Sequence, residues 1–168
     1  MLFRSLGVPQ GIHCETIFSD VFACVVATRH PLNVRTVSLA QYLKYRHVVV
    51  ATIGGQQPLV DRPLGDLSKR REVGLTLPFF SPAIPAVANT DMVLTVPRRL
   101  ALAFTQSGSV RWMGAPPEIR GFNYDMMWHQ RLDDDPAHGW FREQVRSLGK
   151  QMAKTPFVRR RRSNRFPR

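Results

Sequence analysis

Two neighbouring arginines, Arg98 and Arg99, stand where an apolar run ends at Pro97 and a helix-forming segment begins. Residues 92–96 before the proline are mostly β-branched and apolar, so the pattern predicts a buried strand that passes directly into a helix. A helix N-terminus offers unpaired backbone N–H groups, and a guanidinium binds a carboxylate through two parallel hydrogen bonds. This spacing therefore predicts a binding site for an anionic ligand, rather than a catalytic centre.

Two other predicted strands end in side chains that fit the same ligand. Thr52 and Gln56 follow one of them, and Phe79 and Phe80 follow the next. In open α/β sheets, ligands bind at the carboxyl ends of the strands. The hydroxyl and the amide are polar anchors, and the phenylalanine rings can hold a flat ring. We expect one phenylalanine to pack in the core and the other to line the pocket.

Strands and helices are predicted to alternate along the chain, which indicates an α/β architecture. The periodicity and the turn residues predict strands at residues 12–18, 21–27, 47–51, 72–77, 92–96, 110–113 and 122–129. Helices are predicted at residues 38–44, 81–89, 98–105 and from Pro136 onward, with a short or irregular helix beginning near Pro63. The last helix carries an apolar stripe at helical spacing, formed by Trp140, Phe141, Val145 and Leu148.

The net charge of +12 is concentrated in a C-terminal tail. Residues 150–168 contribute eight positive charges and no negative ones, so the rest of the chain carries only +4. The run Arg159, Arg160, Arg161 and Arg162 favours phosphate through charge and counterion release, without reading a base sequence. One interpretation of the tail is a solvated, disordered extension, and the alternative is a segment that binds nucleic acid or another polyanion.

Several classes of function are disfavoured by the residue pattern. His129, His138 and the aspartates 133–135 lie within ten residues, but three consecutive aspartates point in different directions, so we expect no metal and no cofactor. We find no nucleophile elbow and no phosphate-binding loop, and we expect no enzymatic activity. The longest apolar run, residues 21–27, is too short to span a membrane, and Cys14 and Cys24 have no metal-ligand spacing. These features favour a reduced, cytoplasmic protein.

Several motifs together resemble the effector-binding domain of LysR-type transcriptional regulators, in the branch of nodulation and aromatic-degradation regulators. The similarity covers roughly residues 2–148, in the order and with the spacing of that family. The motifs are residues 90–101, His30-Pro31-Leu32, Trp128-His129-Gln130-Arg131, Asp135-Pro136-Ala137-His138 and Trp140-Phe141-Arg142.

The resemblance implies a type-2 periplasmic-binding-protein-like fold, in which two α/β subdomains are joined by two crossover strands and the ligand lies between them. The first subdomain is expected to be incomplete, because Met1-Leu2-Phe3-Arg4 matches the end of its first β-α-β unit. On this map, residues 1–27 are the remnant of the first subdomain with a crossover strand, and residues 28–110 are the complete second subdomain. Residues 111–149 are the return strands and C-terminal helix of the first subdomain, and residues 150–168 are the basic tail.

The resemblance also implies a function and partners. We expect an effector-binding domain without the winged helix-turn-helix of the family, so it has no element for specific DNA binding. Its ligand is expected to be a small molecule, an aromatic or carboxylate compound, held by Thr52, Gln56, Phe79, Phe80, Pro97 and Arg99. A homo-oligomer or a pair with a full-length relative is the expected assembly. The alternative is a basic nucleic-acid-binding protein that acts through its arginine-rich tail.

Overall fold

The structure, a computed structural model, describes residues 9–51 and 60–154, except for the side chains of residues 62, 63, 67–69 and 107. The helices and strands are β1 (Ile12–Asp20), β2 (Phe22–Ala27), α1 (Leu39–Leu43), β3 (His47–Val50), α2 (Asp61–Leu64), β4 (Val73–Leu77), α3 (Ala83–Ala88), β5 (Val93–Pro97), α4 (Arg98–Phe104), β6 (Val110–Gly114), β7 (Phe122–His129) and α5 (Pro136–Lys154). Short 3₁₀ turns follow α2, α4 and β7. The predicted alternation of strands and helices is confirmed.

The described strands form two sheets. The larger has the order β4-β3-β5-β2-β6, in which β3 runs parallel to both β4 and β5, and β2 runs antiparallel to β5 and β6. The smaller is the antiparallel pair of β1 and β7, with α5 packed against β1. The chain passes from one sheet to the other between β1 and β2 and returns between β6 and β7.

Buried side chains pack on both faces of the larger sheet. Every residue of β2 and β5 is buried, as continuous apolar runs in a two-sided sheet must be. Alternate residues of β2 belong to different clusters: Cys24 and Val26 pack with α1 and α2, whereas Ala23 and Val25 pack with α3 and α4. Helices therefore lie on both faces of this sheet.

Local signals explain two of the helices. Ser38 caps α1 in a capping box, in which the Gln41 backbone N–H donates to Ser38 Oγ at 3.3 Å and the Ser38 N–H donates to Gln41 Oε1 at 3.2 Å. The irregular helix expected near Pro63 is the single turn α2, followed by the 3₁₀ segment Gly65–Arg70. Gly65 has a φ of +53°, a conformation that glycine adopts without strain where a helix ends.

The apolar stripe of helix α5 is largely exposed. Trp140, Phe141 and Leu148 are 66%, 57% and 58% exposed. The buried positions of the helix are instead Arg142 and Gly149. At Gly149 the helix lies so close to Ile17 of β1 that a side chain would have no room. In residues 9–51 and 60–154, no helix is long and apolar enough to cross a membrane.

Candidate functional site

The carboxyl ends of β3 and β5 form a topological switch point. These strands are parallel neighbours, but the helices that follow them lie on opposite faces of the sheet. Leu64 of α2 packs in the cluster with Cys24, and Ala101 of α4 packs in the cluster with Ala23. Because the two connections leave in opposite directions, a crevice opens between the strand ends, and ligands of open α/β sheets bind in such crevices.

A cavity lies along β3 and β5 and reaches the carboxyl end of β3 at Val50. Its walls come from β3, from β5 and from residues beside them, and its volume is about 10 Å³, roughly the room that one water molecule needs. The inner part is narrow and admits only a small chemical group. The lining residues are Val48, Val49, Val50, Val60, Arg71, Phe80 and Thr95.

Neutral hydroxyl groups lie beside the cavity. The Tyr42 hydroxyl and Thr95 Oγ1 are 2.9 Å apart, and Cys24 Sγ lies 3.9 Å from the same Thr95 oxygen. Burial raises the pKa of the Tyr42 hydroxyl to about 12 and the pKa of the Cys24 thiol to about 12. At neutral pH both groups therefore keep their protons, and Cys24 is a thiol rather than a nucleophilic thiolate.

Arg71 brings a buried positive charge to the cavity wall. Its side chain is 3% exposed, and its Nη2 donates a hydrogen bond to Asp61 Oδ1, the first residue of α2. Its Nε is buried and has no hydrogen-bond partner among the residues that the structure describes. Burial raises the pKa of Asp61, an effect that the adjacent Arg71 opposes. The sequence reasoning missed Arg71, because it lies in a run of charged residues typical of an exposed surface.

His47 lies in the same buried region and is neutral. Its ring is fully buried, its Nε2 donates to the Tyr42 carbonyl at 2.9 Å, and its centroid is 4.3 Å from the Tyr42 ring. Burial, reinforced by the positive charge of Arg71, lowers the pKa of His47 from 6.5 to about 4. The histidine therefore adds no positive charge to the cavity at neutral pH.

The buried His47 predicts a pH dependence of stability. Its pKa is lower in the folded chain than in the unfolded chain, so its contribution is complete above pH 6.5 and is lost as the pH falls from 6.5 to about 4. Over this window wild type should lose on the order of 3 kcal/mol of unfolding free energy beyond the loss of a His47→Gln variant. Urea unfolding at several pH values measures this difference, and parallel pH profiles for the two proteins would contradict it.

The two phenylalanines are not divided between the core and the pocket as expected, because neither is fully buried. Phe80 is half-buried, packs against the cluster on the α3 and α4 side of the sheet, and lines the cavity. Phe79 is 61% exposed. Only Phe80 contacts the cavity in this structure, and the holding of a flat ring by both side chains stays a prediction.

The N-terminus of α4 already holds a carboxylate from the protein. Pro97 is buried and pairs with Phe22, which brings the β1–β2 connection next to the helix start. The Arg98 N–H donates to the Val21 carbonyl at 2.8 Å, and the Arg99 N–H donates to Asp20 Oδ2 at 3.3 Å. The backbone donors predicted to await an anionic ligand are thus bonded to the connection between the two sheets.

The side chain of Arg99 extends from α4 to the smaller sheet and its helix. Its Nη2 donates to the Met152 carbonyl in the last turn of α5 at 2.7 Å, and its Cζ lies 5.2 Å from the centre of the Phe18 ring. Arg99 is thus placed between the two α/β units, and its ligand contact stays a prediction. Thr52, Gln56 and the arginines 159–162 lie outside the described residues.

The sequence matches the family described as "LysR substrate binding domain" over residues 2–150. The chain belongs to this family. Its α/β architecture is the type-2 periplasmic-binding-protein-like fold of LysR effector domains. The domain is the ligand-binding part of transcriptional regulators, so the fold and the family predicted from the sequence are both confirmed.

Named relatives and solved structures agree with this assignment. The chain is 29% identical to the HTH-type transcriptional regulator SyrM of Rhizobium meliloti over 143 residues, which are 83% of this chain and 43% of SyrM. It is similar to the probable transcriptional regulator PA0477 of Pseudomonas aeruginosa, with a TM-score of 0.73, 29% identity, and coverage of 84% of this chain and 47% of that chain. The regulatory domain of MexT from Pseudomonas aeruginosa gives a TM-score of 0.70 at 25% identity, with coverage of 87% and 70%. The chain spans less than half the length of the curated relatives that it matches.

Proposed function

We propose that this LysR substrate-binding domain is an effector sensor, which binds a small aromatic or carboxylate compound at the carboxyl ends of β3, β4 and β5. The observation that carries the proposal is the cavity beside β3 and β5, whose lining includes Phe80 and Thr95. We place the protein in the cytoplasm, where a transcriptional regulator meets DNA.

The proposed ligand site extends from this cavity toward the smaller sheet. Phe79 and Phe80 contact the ring of the ligand, and Arg99 binds its carboxylate next to Pro97. The position of Arg99 supports this role, since its guanidinium reaches from α4 to Phe18 of β1. A bound carboxylate would replace the Met152 carbonyl as the acceptor of the Arg99 hydrogen bond. Thr52 and Gln56 complete the proposed site as polar anchors.

The proposed function is binding without catalysis. Among the described residues, no group of three histidine, cysteine, aspartate or glutamate side chains is arranged to hold a metal ion. The thiol beside the cavity, Cys24, stays protonated at neutral pH because burial raises its pKa to about 12. A homo-oligomer, or a pair with a full-length relative, is the proposed assembly, and the exposed Trp140, Phe141 and Leu148 of α5 support such a contact.

Thermal melts with a panel of benzoate and substituted benzoates test the proposal. A ligand at a hundred times its dissociation constant stabilises the folded state by about 2.7 kcal/mol, which should raise the melting temperature by about 5–10 °C. Arg99→Ala should abolish the rise. Its matched control is Arg98→Ala, because Arg98 is the adjacent exposed arginine, 6.0 Å from the Trp112 ring centre. The absence of a shift with every acid, or equal shifts in wild type and Arg99→Ala, would contradict the proposed site.

A further inference from the structure

The guanidinium of Arg71 has a hydrogen-bond donor with no acceptor, in the wall of the cavity. The residue is 7% exposed, and its Nε–H has no partner among the described residues. A buried donor without an acceptor costs about 1–3 kcal/mol. Arg111 Nε is also buried without a partner among the described residues, but of these two arginines it is Arg71 that lines the cavity, where a bound molecule can supply the acceptor. Arg71 lies beside Thr95 and Phe80 in the same cavity lining.

The charges around this donor make an oxygen acceptor favourable. Asp61 is the acid bonded to Arg71, but its side chain is 21% exposed whereas that of Arg71 is 3% exposed, so water screens the negative partner more than the positive one. Tyr42 and His47 are both neutral at pH 7, since burial raises the pKa of Tyr42 to about 12 and lowers that of His47 to about 4. The guanidinium of Arg71 is therefore the less screened charge of the pair at the cavity wall, and its positive charge favours an electron-rich atom there.

We propose that Arg71, with the Thr95 hydroxyl beside it, forms a subsite for an oxygen substituent on the ring of the effector. The inference rests on the proposed function and adds a specificity determinant to it. In this arrangement the carboxylate of the ligand binds Arg99 outside the cavity, the ring lies against Phe80, and a small oxygen group enters the narrow part of the cavity, which Phe80, Arg71 and Thr95 line. Arg71 thus selects aromatic acids with a second oxygen group over those with an apolar group of the same size.

The physical basis of the selection is the cost of leaving Arg71 unsatisfied. A methyl group is the nearest apolar counterpart of a hydroxyl but is somewhat larger, so the Arg71→Lys and Thr95→Val variants are needed to separate the effect of size from that of the hydrogen bond. The methyl group removes any water from Arg71 Nε and offers no acceptor in return, whereas the hydroxyl oxygen accepts the hydrogen bond. Sites that bury a hydrogen-bonding group discriminate strongly against analogues that lack the partner.

Isothermal titration of the 168-residue chain with matched acids tests the subsite. The probes are the three hydroxybenzoate isomers and the three methylbenzoates of the same ring positions. At one ring position or more, wild type should bind the hydroxy acid at least about tenfold more tightly than the methyl acid. The ratio of the two dissociation constants is the readout, because a general loss of stability lowers the fraction of folded protein for both acids equally.

Two variants locate the selection at Arg71 and Thr95. Arg71→Lys keeps the charge and removes the Nε–H, and Thr95→Val removes the hydroxyl with little change of shape. Arg71→Lys should lower the ratio to about one while the methyl acid still binds. Thr95→Val leaves the Arg71 Nε–H in place, so it should lower the ratio by a smaller factor. Thr76→Val is the control for the same substitution at an exposed position of β4, and should leave the ratio unchanged. Should Arg71→Lys fail to fold, Thr95→Val with its control carries the test.

The outcomes separate this inference from the proposed function. Equal binding of the hydroxy and methyl acids by wild type, with binding lost in Arg99→Ala, would overturn the Arg71 subsite and leave the effector site intact. A preference for the hydroxy acid that survives both Arg71→Lys and Thr95→Val would also overturn it. If none of the acids binds at millimolar concentration, the proposed function fails and this inference fails with it.

Discussion

Replacing Asp61 with alanine should destabilise the folded chain by about 3 kcal/mol, because it leaves the buried guanidinium of Arg71 without its counter-charge. The pair joins the start of α2 to Arg71, two residues before β4, and the Arg71 side chain is 3% exposed. Urea unfolding at neutral pH, followed by circular dichroism, measures the change. Asp91→Ala is the control, since Asp91 is exposed, and that variant should stay within about 0.5 kcal/mol of wild type.

A double variant distinguishes the charge effect from a loss of packing. In Asp61→Leu with Arg71→Met, both charges are absent, so no unpaired ion remains in the interior. This protein should be more stable than Asp61→Ala, as replacement of buried ion pairs by apolar side chains is often neutral. Equal losses in the single and double variants would show that the charge of Arg71 is not the cause.

Gly149→Ala should destabilise the chain by about 1–2 kcal/mol, although alanine is the better helix former. A Cβ at this position would collide with Ile17 Cγ2 and would lie 3.2 Å from the Ile17 carbonyl oxygen. Because Cγ2 is a methyl group held on the branched Cβ of Ile17 and the oxygen belongs to the backbone of β1, the contact is relieved only if α5 moves away from the strand. Overpacking costs about 1–3 kcal/mol, and a collision this close to backbone lies in the upper part of that range, so about 1–2 kcal/mol remains after the gain of about 1 kcal/mol in helix propensity.

The same substitution elsewhere in α5 supplies a control with the opposite sign. At Gly139 the nearest atom to an added Cβ is Arg142 Nη2, at 3.9 Å. Gly139→Ala should therefore stabilise the chain by about 0.5–1 kcal/mol through helix propensity alone. Chemical unfolding of the two variants compares them directly. A stabilised Gly149→Ala protein would mean that α5 does not pack on β1 at the distance described here.

Some elements could be predicted from the sequence because a single local requirement, such as burial on both faces or a helix cap, determines them. The strands β2 and β5 are continuous apolar runs that fit only a strand covered on both faces, and Ser38 with Gln41 is a local capping pair. The irregular α2 also followed from local chemistry, because Pro63 and Gly65 oppose a long helix. These features depend on near neighbours in the chain.

Features that depend on contacts between distant residues could not be predicted in this way. The close contact of α5 with β1 at Gly149 involves Ile17, which lies far away in the sequence, and the apolar spacing of the helix gave no sign of it. The helix N-terminus of α4 was expected to await a ligand, but Asp20 of β1 reaches it through the fold. Such pairings depend on how the sheets come together.

The residues of the candidate site were also predicted only in part. Phe80, at the end of β4, was placed at the pocket by the general rule for strand ends, and it lines the cavity. Arg71 was not identified, because nothing in the run Lys69-Arg70-Arg71-Glu72 separates a buried arginine from an exposed one. Its burial follows from the pairing with Asp61 and from the packing of α2 over the sheet.

The central claim is that this LysR substrate-binding domain holds a small aromatic acid at the switch point of β3 and β5. The most direct measurement is a titration with the tightest-binding benzoate, followed by methyl and amide NMR signals of the labelled chain. The claim predicts saturable shifts at Val48, Val50 and Thr95, together with the Phe80 ring, and no such shifts at Trp140 on the exposed side of α5. Saturable shifts confined to α5, or the absence of saturation anywhere, would contradict the claim.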